Sequence, residues 1–202
     1  MTERERQRQQ TRRRLYEAAL HAFRTTGVSQ ARVDDIAAAA GVSRATFYFH
    51  FPTKDDVLLD LLRTSQAQMA AELEGLHPEA TLEDALRCVA RKMALQWREE
   101  PLLLAEIGMV AIKRTAQNLQ ELEGSFAIQT ALVPWFENAA ADAHVDPLLP
   151  PILLSEFFLV NLFGAALAWC GNPCVELQVL LDNVVIFFLR AAASAPESIQ
   201  PT

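Results

Sequence analysis

The stretch Ile36-Ala-Ala-Ala-Ala-Gly-Val-Ser-Arg-Ala-Thr-Phe-Tyr-Phe-His-Phe51 predicts two short helices joined by a tight turn. Ile36 and the alanines give the first helix a narrow apolar face at helical spacing. Gly41 suits the left-handed residue that ends a helix, and Ser43 suits the N-cap of the next. A turn of this kind also occurs in ordinary helical hairpins. The aromatic run and the nearby Lys54 favour a helix-turn-helix, whose second helix enters the DNA major groove.

The second helix should turn Phe47 and Phe51, four residues apart, toward the core. Its opposite side then carries groups that bond phosphates or touch bases. We expect Arg44, Ala45 and Thr46 to meet base edges, because arginine to guanine is the commonest direct readout. Tyr48, His50 and Lys54 should hold phosphates, and Phe49 should pack on the DNA backbone. With the capping serine, the candidate DNA-binding residues are Ser43, Arg44, Ala45, Thr46, Tyr48, Phe49, His50 and Lys54.

These residues resemble the TetR family of bacterial transcriptional regulators. The resemblance begins at Leu15-Tyr-Glu-Ala-Ala-Leu-His-Ala-Phe23 and covers about the first 60 residues. The later matching positions are Gly27, Val33, Ile36, Ala37, Ala40, Gly41, Val42, Ser43, Phe47, Tyr48, Phe51, Lys54 and Leu58. Ala22 replaces a larger aliphatic residue. Arg32 stands where the family often has a threonine N-cap, so the second helix is expected to begin less firmly.

The resemblance implies an all-α fold with two parts. Residues 1–53 would form a helix-turn-helix DNA-binding domain with a basic N-terminal arm. Residues 54–194 would form a helical ligand-binding and dimerisation domain, and residues 195–202 a frayed tail. The six arginines of residues 1–14 are consistent either with an arm that reaches DNA or with a solvated tail.

Charge is spread unevenly along the chain, although the total is −7. Residues 1–63 contain 11 Lys or Arg against 8 Asp or Glu, and the rest of the chain carries a net charge of −10. The basic surplus therefore coincides with the helix-turn-helix. An acidic remainder would be repelled by DNA and would orient the basic end toward it.

The sequence favours a cytoplasmic protein without a membrane span. Residues 1–14 have no apolar run that would make a signal peptide. The region 152–170 is apolar enough to raise a transmembrane alternative, but Glu156 and Asn161 interrupt it and favour a buried helix. Cys170 and Cys174 could form a redox pair, although reduced thiols are usual in the cytosol. Neither a metal nor a cofactor is expected.

Seven helices are predicted outside the helix-turn-helix. The first should run from Thr11 to Thr26, with the preceding residues outside it, and the next from Thr53 to Gly75. The remaining predicted bounds are Thr81 to Glu99, Pro101 to Ala116, Leu119 to Ala143 with a kink at Pro134, Pro151 to Cys170, and Pro173 to Ala193. Asn172 would cap the last of these helices.

The last two helices are apolar nearly all round, which predicts that they bury more than one face. In TetR-like proteins the final two helices pair with those of a twofold mate, so the resemblance implies a homodimer. The alternative is a monomer with a large apolar core. The candidate interface residues are Phe157, Val160, Val184, Val185 and Phe188.

Aromatic side chains are frequent in the predicted body, where they form either a plain core or the wall of an apolar ligand cavity. A kink at Pro134 would open space beside Trp135. Glu156 is a further candidate polar group of such a cavity. The candidate ligand-binding residues are Met93, Trp97, Phe126, Gln129, Trp135, Phe158, Asn161 and Trp169.

These features predict a ligand-responsive transcriptional regulator rather than an enzyme, since no nucleophile motif, phosphate loop or carboxylate pair is recognisable. Its expected partners are double-stranded operator DNA, a second copy of the chain and a small, largely apolar effector. Repression is the expected mode, with release from a palindromic operator when the effector binds. Two alternatives stay open. One is an architectural DNA-binding protein without an effector, and the other is a ligand-binding protein or enzyme on a borrowed fold.

Overall fold

The computed structural model describes residues 2–117, 127–142, 145 and 149–193, with the backbone alone for residues 114–117. Helices account for the regular structure of these residues, and no strand occurs among them. They are α1 (Glu3–Thr26), α2 (Val33–Ala39), α3 (Arg44–His50), α4 (Lys54–Glu74), α5 (Leu82–Glu99), α6 (Pro101–Gln117), α7 (Ala127–Ala141), α8 (Pro151–Gly171) and α9 (Leu177–Ala192). The predicted all-α class is confirmed.

The chain divides into two compact units. The first unit comprises residues 2–62 and 102–117, and the second comprises residues 63–101 with the described residues of 127–193. The helix α6 therefore belongs with the N-terminal helices, and its Leu103 and Ile107 are buried in their core. In the second unit α5 packs on α9, and α8 packs on both α7 and α9. The division proposed at residue 53 stays a prediction, and the tail at 195–202 lies outside the described residues.

The first helix is two turns longer than the sequence predicted. It begins at Glu3, not at Thr11, so the described part of the basic arm is helical. Thr2 accepts a hydrogen bond from the backbone N–H of Glu5, and Glu5 accepts one from that of Thr2. This capping box satisfies backbone donors at the helix start. Arg13 and Glu17 add an ion pair at helical spacing.

Local capping explains why the middle helices begin where the sequence predicts. Thr81 and Asp84 form a second capping box at the start of α5. Thr53 donates to Asp56 from both its backbone N–H and its hydroxyl, each at 2.7 Å, just before α4. Arg32 precedes α2 without a side-chain cap, as its sequence position predicted.

The last helix differs from its prediction at its start. It begins at Leu177, so Pro173 and the three residues after it form a loop, and Asn172 ends α8 instead of capping α9. Trp169 Nε1 donates to the carbonyl of Val175 at 2.8 Å and holds this loop against the end of α8. Pro134 lies inside α7, as predicted. The predicted bounds Leu119 and Ala143 lie outside the described residues.

Candidate DNA-binding site

The turn between α2 and α3 has the geometry that its residues predict. Gly41 adopts φ +68°, the left-handed region where a side chain would be strained. Ser43 follows as the N-cap of α3, and its hydroxyl accepts the backbone N–H of Thr46 at 3.1 Å. Ser43 and Ala45 are exposed and Thr46 is half-buried, so the beginning of α3 is open to solvent.

Two fully buried rings fix the orientation of α3. Phe47 and Phe51 are inaccessible to solvent, with ring centroids 5.9 Å apart. Because α3 has only two turns, burying these rings leaves the side chains between them on the outer surface. Tyr48 and Phe49 are accordingly exposed, and Phe49 keeps 67% of its surface accessible. The predicted orientation of this helix is thus present in the structure.

Arg44 lies on the outer surface of α3 but is held by neighbours. Its Nη1 donates to both carboxylate oxygens of Asp34, at 3.0 and 3.2 Å. Its Nη2 makes a long contact of 3.5 Å with Tyr48 Oη, and its guanidinium lies 5.6 Å from the centre of the Tyr48 ring. The contacts with Tyr48 and Asp34 raise the pKa of Arg44. A base that is read through Nη1 of Arg44 must therefore displace Asp34.

The arginines of α1 lie beside the C-terminal part of α3, a contact that the sequence did not predict. Arg8 stacks over Phe49 at 5.2 Å, and Arg12 over Phe51 at 4.2 Å. Arg12 also donates to the carbonyl of His50 at 2.9 Å and pairs with Asp60. Burial lowers the pKa of His50, and the charges of Arg12 and Arg8 lower it further. His50 therefore favours the neutral form in the free protein.

Lys54 has a structural role in the free protein, and its assignment to a phosphate stays a prediction. Its ammonium donates to the carbonyls of Val28, Ala31 and Ser29, at 2.6, 2.9 and 3.3 Å. Three acceptors match the three donors of an ammonium. The lysine thus satisfies the carbonyls of the loop between α1 and α2, and has no donor left for DNA in this arrangement. Loop carbonyls carry no side-chain signal, so the sequence could not reveal this contact.

A groove of about 880 Å³ lies in the second unit, where the C-terminal end of α4 and the loop to α5 meet α7. Pro134 and Trp135 line it together with Leu73, Val145 and Leu189. Its lining includes the acidic residues Glu74, Glu79, Glu83 and Asp142 and no lysine or arginine. Space is therefore present beside Trp135. Its lining contains acidic residues that the sequence did not predict.

The other candidate ligand residues of the described part do not line this groove. Trp97 and Phe158 are buried in the core, where they pack edge-on against Phe163 and Phe188 at 5.7 and 5.4 Å. The half-buried or exposed candidates are Met93, Gln129, Asn161 and Trp169. Phe126 lies outside the described residues.

Polar atoms on three of these candidates are already used within the second unit. Gln129 Nε2 donates to the carbonyl of Ile152 at 3.4 Å, and Asn161 Nδ2 to that of Phe157 at 2.7 Å. The indole N–H of Trp169 holds the loop before α9. These bonds account for the three side chains without a ligand, so their assignment to an effector site stays a prediction.

The helices α8 and α9 each expose an apolar stripe. On α8 it includes Phe157 and Val160, which are 50% and 61% accessible, and on α9 Phe187 is 69% accessible. Val185 and Phe188, which were predicted for the dimer interface, are instead buried in the core of the second unit. Neighbouring positions on a helix point in different directions, and an apolar sequence does not show which one faces inward. Val184 is half-buried.

Two further predictions concern membranes and metals. By length and composition α8 could cross a membrane, but a single such helix is weak evidence because core helices of soluble proteins pass the same test. Within the described ranges, no three His, Cys, Asp or Glu side chains are grouped as metal ligands. Cys88, Cys170 and Cys174 occur as free thiols, and burial raises the pKa of Cys170.

The sequence of the first unit matches known regulators. A family model described as bacterial regulatory proteins, tetR family, matches residues 15–61. The transcriptional regulator EthR of Mycobacterium tuberculosis is 51% identical over 51 residues, which are 24% of this chain and 24% of EthR. TtgR of Pseudomonas putida is 38% identical over 98 residues, 47% of this chain and 44% of TtgR. The chain thus matches less than half the length of these curated relatives.

The likeness of fold extends over nearly the whole chain. Thermus thermophilus FadR, a TetR-family repressor in complex with lauroyl-CoA, has a TM-score of 0.75 at 22% identity, covering 95% of this chain and 99% of that chain. SmeT, the repressor of the Stenotrophomonas maltophilia multidrug efflux pump SmeDEF, has a TM-score of 0.63 at 18% identity, covering 95% and 94%. The helix-turn-helix region, residues 15–61, therefore matches the TetR family of bacterial regulatory proteins, and the fold of the chain is similar to that of TetR-family repressors.

Proposed function

We propose that this protein is a homodimeric transcriptional repressor that binds an operator of twofold symmetry and is released by a small molecule. The observation that carries the proposal is α3, a capped helix that presents Arg44 and Tyr48 on its solvent-exposed side, within the family-matched residues. Such a helix can enter the major groove. A regulator of the chromosome acts in the cytoplasm, and we propose that location.

The exposed stripes on α8 and α9 support a dimer. Two large rings, Phe157 and Phe187, and the branched side chain of Val160 are exposed to water, and exposed apolar surface is a common feature of interfaces. A second copy with the same two helices would cover it, because a twofold interface is self-complementary. Two recognition helices would then meet half-sites about one DNA turn, ~34–36 Å, apart.

The groove beside Trp135 is the candidate effector site. Leucines, Pro134 and the indole offer apolar contact, and four acidic residues belong to the lining. Arg87 pairs with one of these, Glu83, at 2.7 Å. Because the groove lining has no lysine or arginine, it favours a neutral or cationic apolar molecule. Acyl-CoA, which Thermus thermophilus FadR binds, carries several phosphates and would be repelled here.

Operator selection with the full-length protein tests the DNA-binding part of the proposal. The protein should enrich one palindromic sequence from a random duplex library. The Arg44→Ala variant should lose preference at one base position of each half-site, at a cost of about 1–3 kcal/mol. Equal binding of all duplexes by the parent protein would contradict the proposal and favour the carrier or enzyme alternative.

A second experiment tests the effector. Neutral, cationic and acyl-CoA compounds are screened for a rise in melting temperature, quenching of tryptophan fluorescence and release of the selected operator. A hundredfold loss of operator affinity requires about 2.7 kcal/mol of coupling. Trp135→Ala should abolish the response, whereas Trp169→Phe should retain it. A library that changes none of these signals would favour the effector-free architectural alternative.

A further inference from the structure

The ion pair between Arg44 and Asp34 joins the two helices of the DNA-binding motif. Asp34 lies in the first turn of α2 and Arg44 is the first residue of α3. Nη1 of Arg44 donates to both carboxylate oxygens, at 3.0 and 3.2 Å, and the two side chains keep 59% and 46% of their surface accessible. The pair is therefore formed in water, next to the surface that DNA would cover.

The carboxylate of Asp34 engages Nη1 of Arg44, one of the nitrogens that a guanine could accept from. In the major groove guanine presents O6 and N7, two adjacent acceptors that an arginine contacts with its fork of N–H donors. A carboxylate presents two acceptor oxygens of similar spacing. One nitrogen of that fork, Nη1, is thus engaged by an acceptor pair of the protein itself, and Nη2 makes the long contact with Tyr48 Oη.

We propose that Asp34 is a specificity-determining residue, which retains Arg44 on the protein until a base with two adjacent acceptors replaces it. The inference rests on the proposed DNA-binding function. On a matching half-site, hydrogen bonds from Arg44 to guanine replace those that it loses with the carboxylate of Asp34. On other sequences Arg44 stays with Asp34, so it makes no contact with a phosphate and adds nothing to non-specific affinity.

The proposal predicts that removing the carboxylate changes binding to the two kinds of DNA unequally. Exposed ion pairs are weak, so Asp34→Asn should tighten operator binding by no more than about fivefold. On unrelated DNA the released Arg44 gains a phosphate. The affinity for unrelated DNA should therefore rise more than that for the operator, and its salt dependence should steepen by about one ion. The ratio of the two affinities should fall.

Asp35 provides a matched control. It is the next residue in the same first turn of α2, it is also exposed, and it forms no ion pair among the described residues. Asp35→Asn removes the same charge from the same helix end. Dissociation constants would be measured for both variants on the selected operator and on an unrelated duplex of equal length, at several salt concentrations. The variant pair would be repeated in an Arg44→Ala background.

The expected result is a fall in specificity for Asp34→Asn that Asp35→Asn does not reproduce and that disappears in the Arg44→Ala background. Modification of Arg44 by phenylglyoxal, mapped by mass spectrometry without DNA, should be faster in Asp34→Asn than in Asp35→Asn. Weaker operator binding by Asp34→Asn would overturn the proposal and make Asp34 a support for Arg44 in the complex. Equal effects of the two variants would overturn it as well. A parent protein without sequence preference would instead contradict the proposed function.

Discussion

The two units of this chain reveal their roles in different ways. In the first unit, residues 15–61 match the tetR family model, and α3 exposes the groups that we propose contact DNA. In the second unit, likeness to known structures is one of fold, at 22% identity to Thermus thermophilus FadR. Every DNA duplex presents the same phosphates and the same four base pairs, whereas effectors differ in shape and charge. Regulators that bind DNA can therefore share a recognisable DNA-binding sequence. Regulators that bind different effectors can share a fold without sharing the sequence of the effector-binding part.

The largest expected effect is a difference in stability between a substitution in the core of the first unit and one on its outer surface. Phe47→Ala empties a fully buried site and should lower the free energy of unfolding by about 3–5 kcal/mol, with loss of DNA binding. Phe49→Ala, on the exposed side of α3, should change stability by no more than about 0.5 kcal/mol. Chemical denaturation followed by circular dichroism measures both. Similar stability losses in the two variants would contradict the orientation of α3.

The second prediction makes the same comparison in the second unit. Phe187→Glu places a charge on the exposed stripe of α9 and should give folded monomers by light scattering. Losing the linkage of two DNA-binding domains should weaken operator binding by about 10²-fold or more.

Phe188→Glu is the matched variant. It puts a carboxylate among Phe136 and Phe158, whose ring centroids lie 6.1 and 5.4 Å away, and should unfold the second unit because an unpaired buried charge is unfavourable. A dimeric Phe187→Glu protein with unchanged operator affinity would exclude this stripe as the interface.

Substitution of Lys54 should have a smaller effect on stability. It tests whether this lysine supports the fold or contacts a phosphate. Lys54→Met leaves three carbonyls without their ammonium donor and should lower the free energy of unfolding by about 2–3 kcal/mol. The salt dependence of DNA binding should stay that of the parent protein. Lys113→Met, at an exposed position of α6, serves as the control. If the salt dependence of Lys54→Met were shallower than that of the parent protein by about one ion, Lys54 would contact a phosphate.

The smallest expected effect concerns pH. Burial and the charges of Arg12 and Arg8 lower the pKa of His50 in the folded protein, below the ordinary value of about 6.5. As pH falls through 6.5, the unfolded chain therefore binds a proton before the folded chain does, and the free energy of unfolding decreases. His50→Gln should flatten this part of the profile. Equal slopes for parent and His50→Gln would contradict the environment described for His50.

Features that depend on a few neighbouring residues were predictable. The turn at Gly41, the cap at Ser43 and the inward spacing of Phe47 and Phe51 follow from backbone conformation and helical period, which act locally. The predicted start of α1 is too late, although the signal for its true start is also local. Thr2 and Glu5 form a capping box, but they lie in an arginine-rich stretch that favours the interpretation as a basic tail. The start of α9 was missed because Pro173 resembles a helix start, while the contact of Trp169 with Val175 keeps that segment a loop.

The sequence by itself determined the all-α class, the position of the helix-turn-helix and the residues that α3 exposes. Helix period and capping depend only on residues that are close together in the sequence. Tertiary structure decided which partner each of those residues meets. Asp34 holds Arg44, backbone carbonyls hold Lys54, and on the apolar helix α9 the packing of Phe188 against α7 and α8 turns Phe187 to the surface. Such choices depend on contacts between residues distant in sequence, and a helix that is apolar on every side does not encode which side is buried.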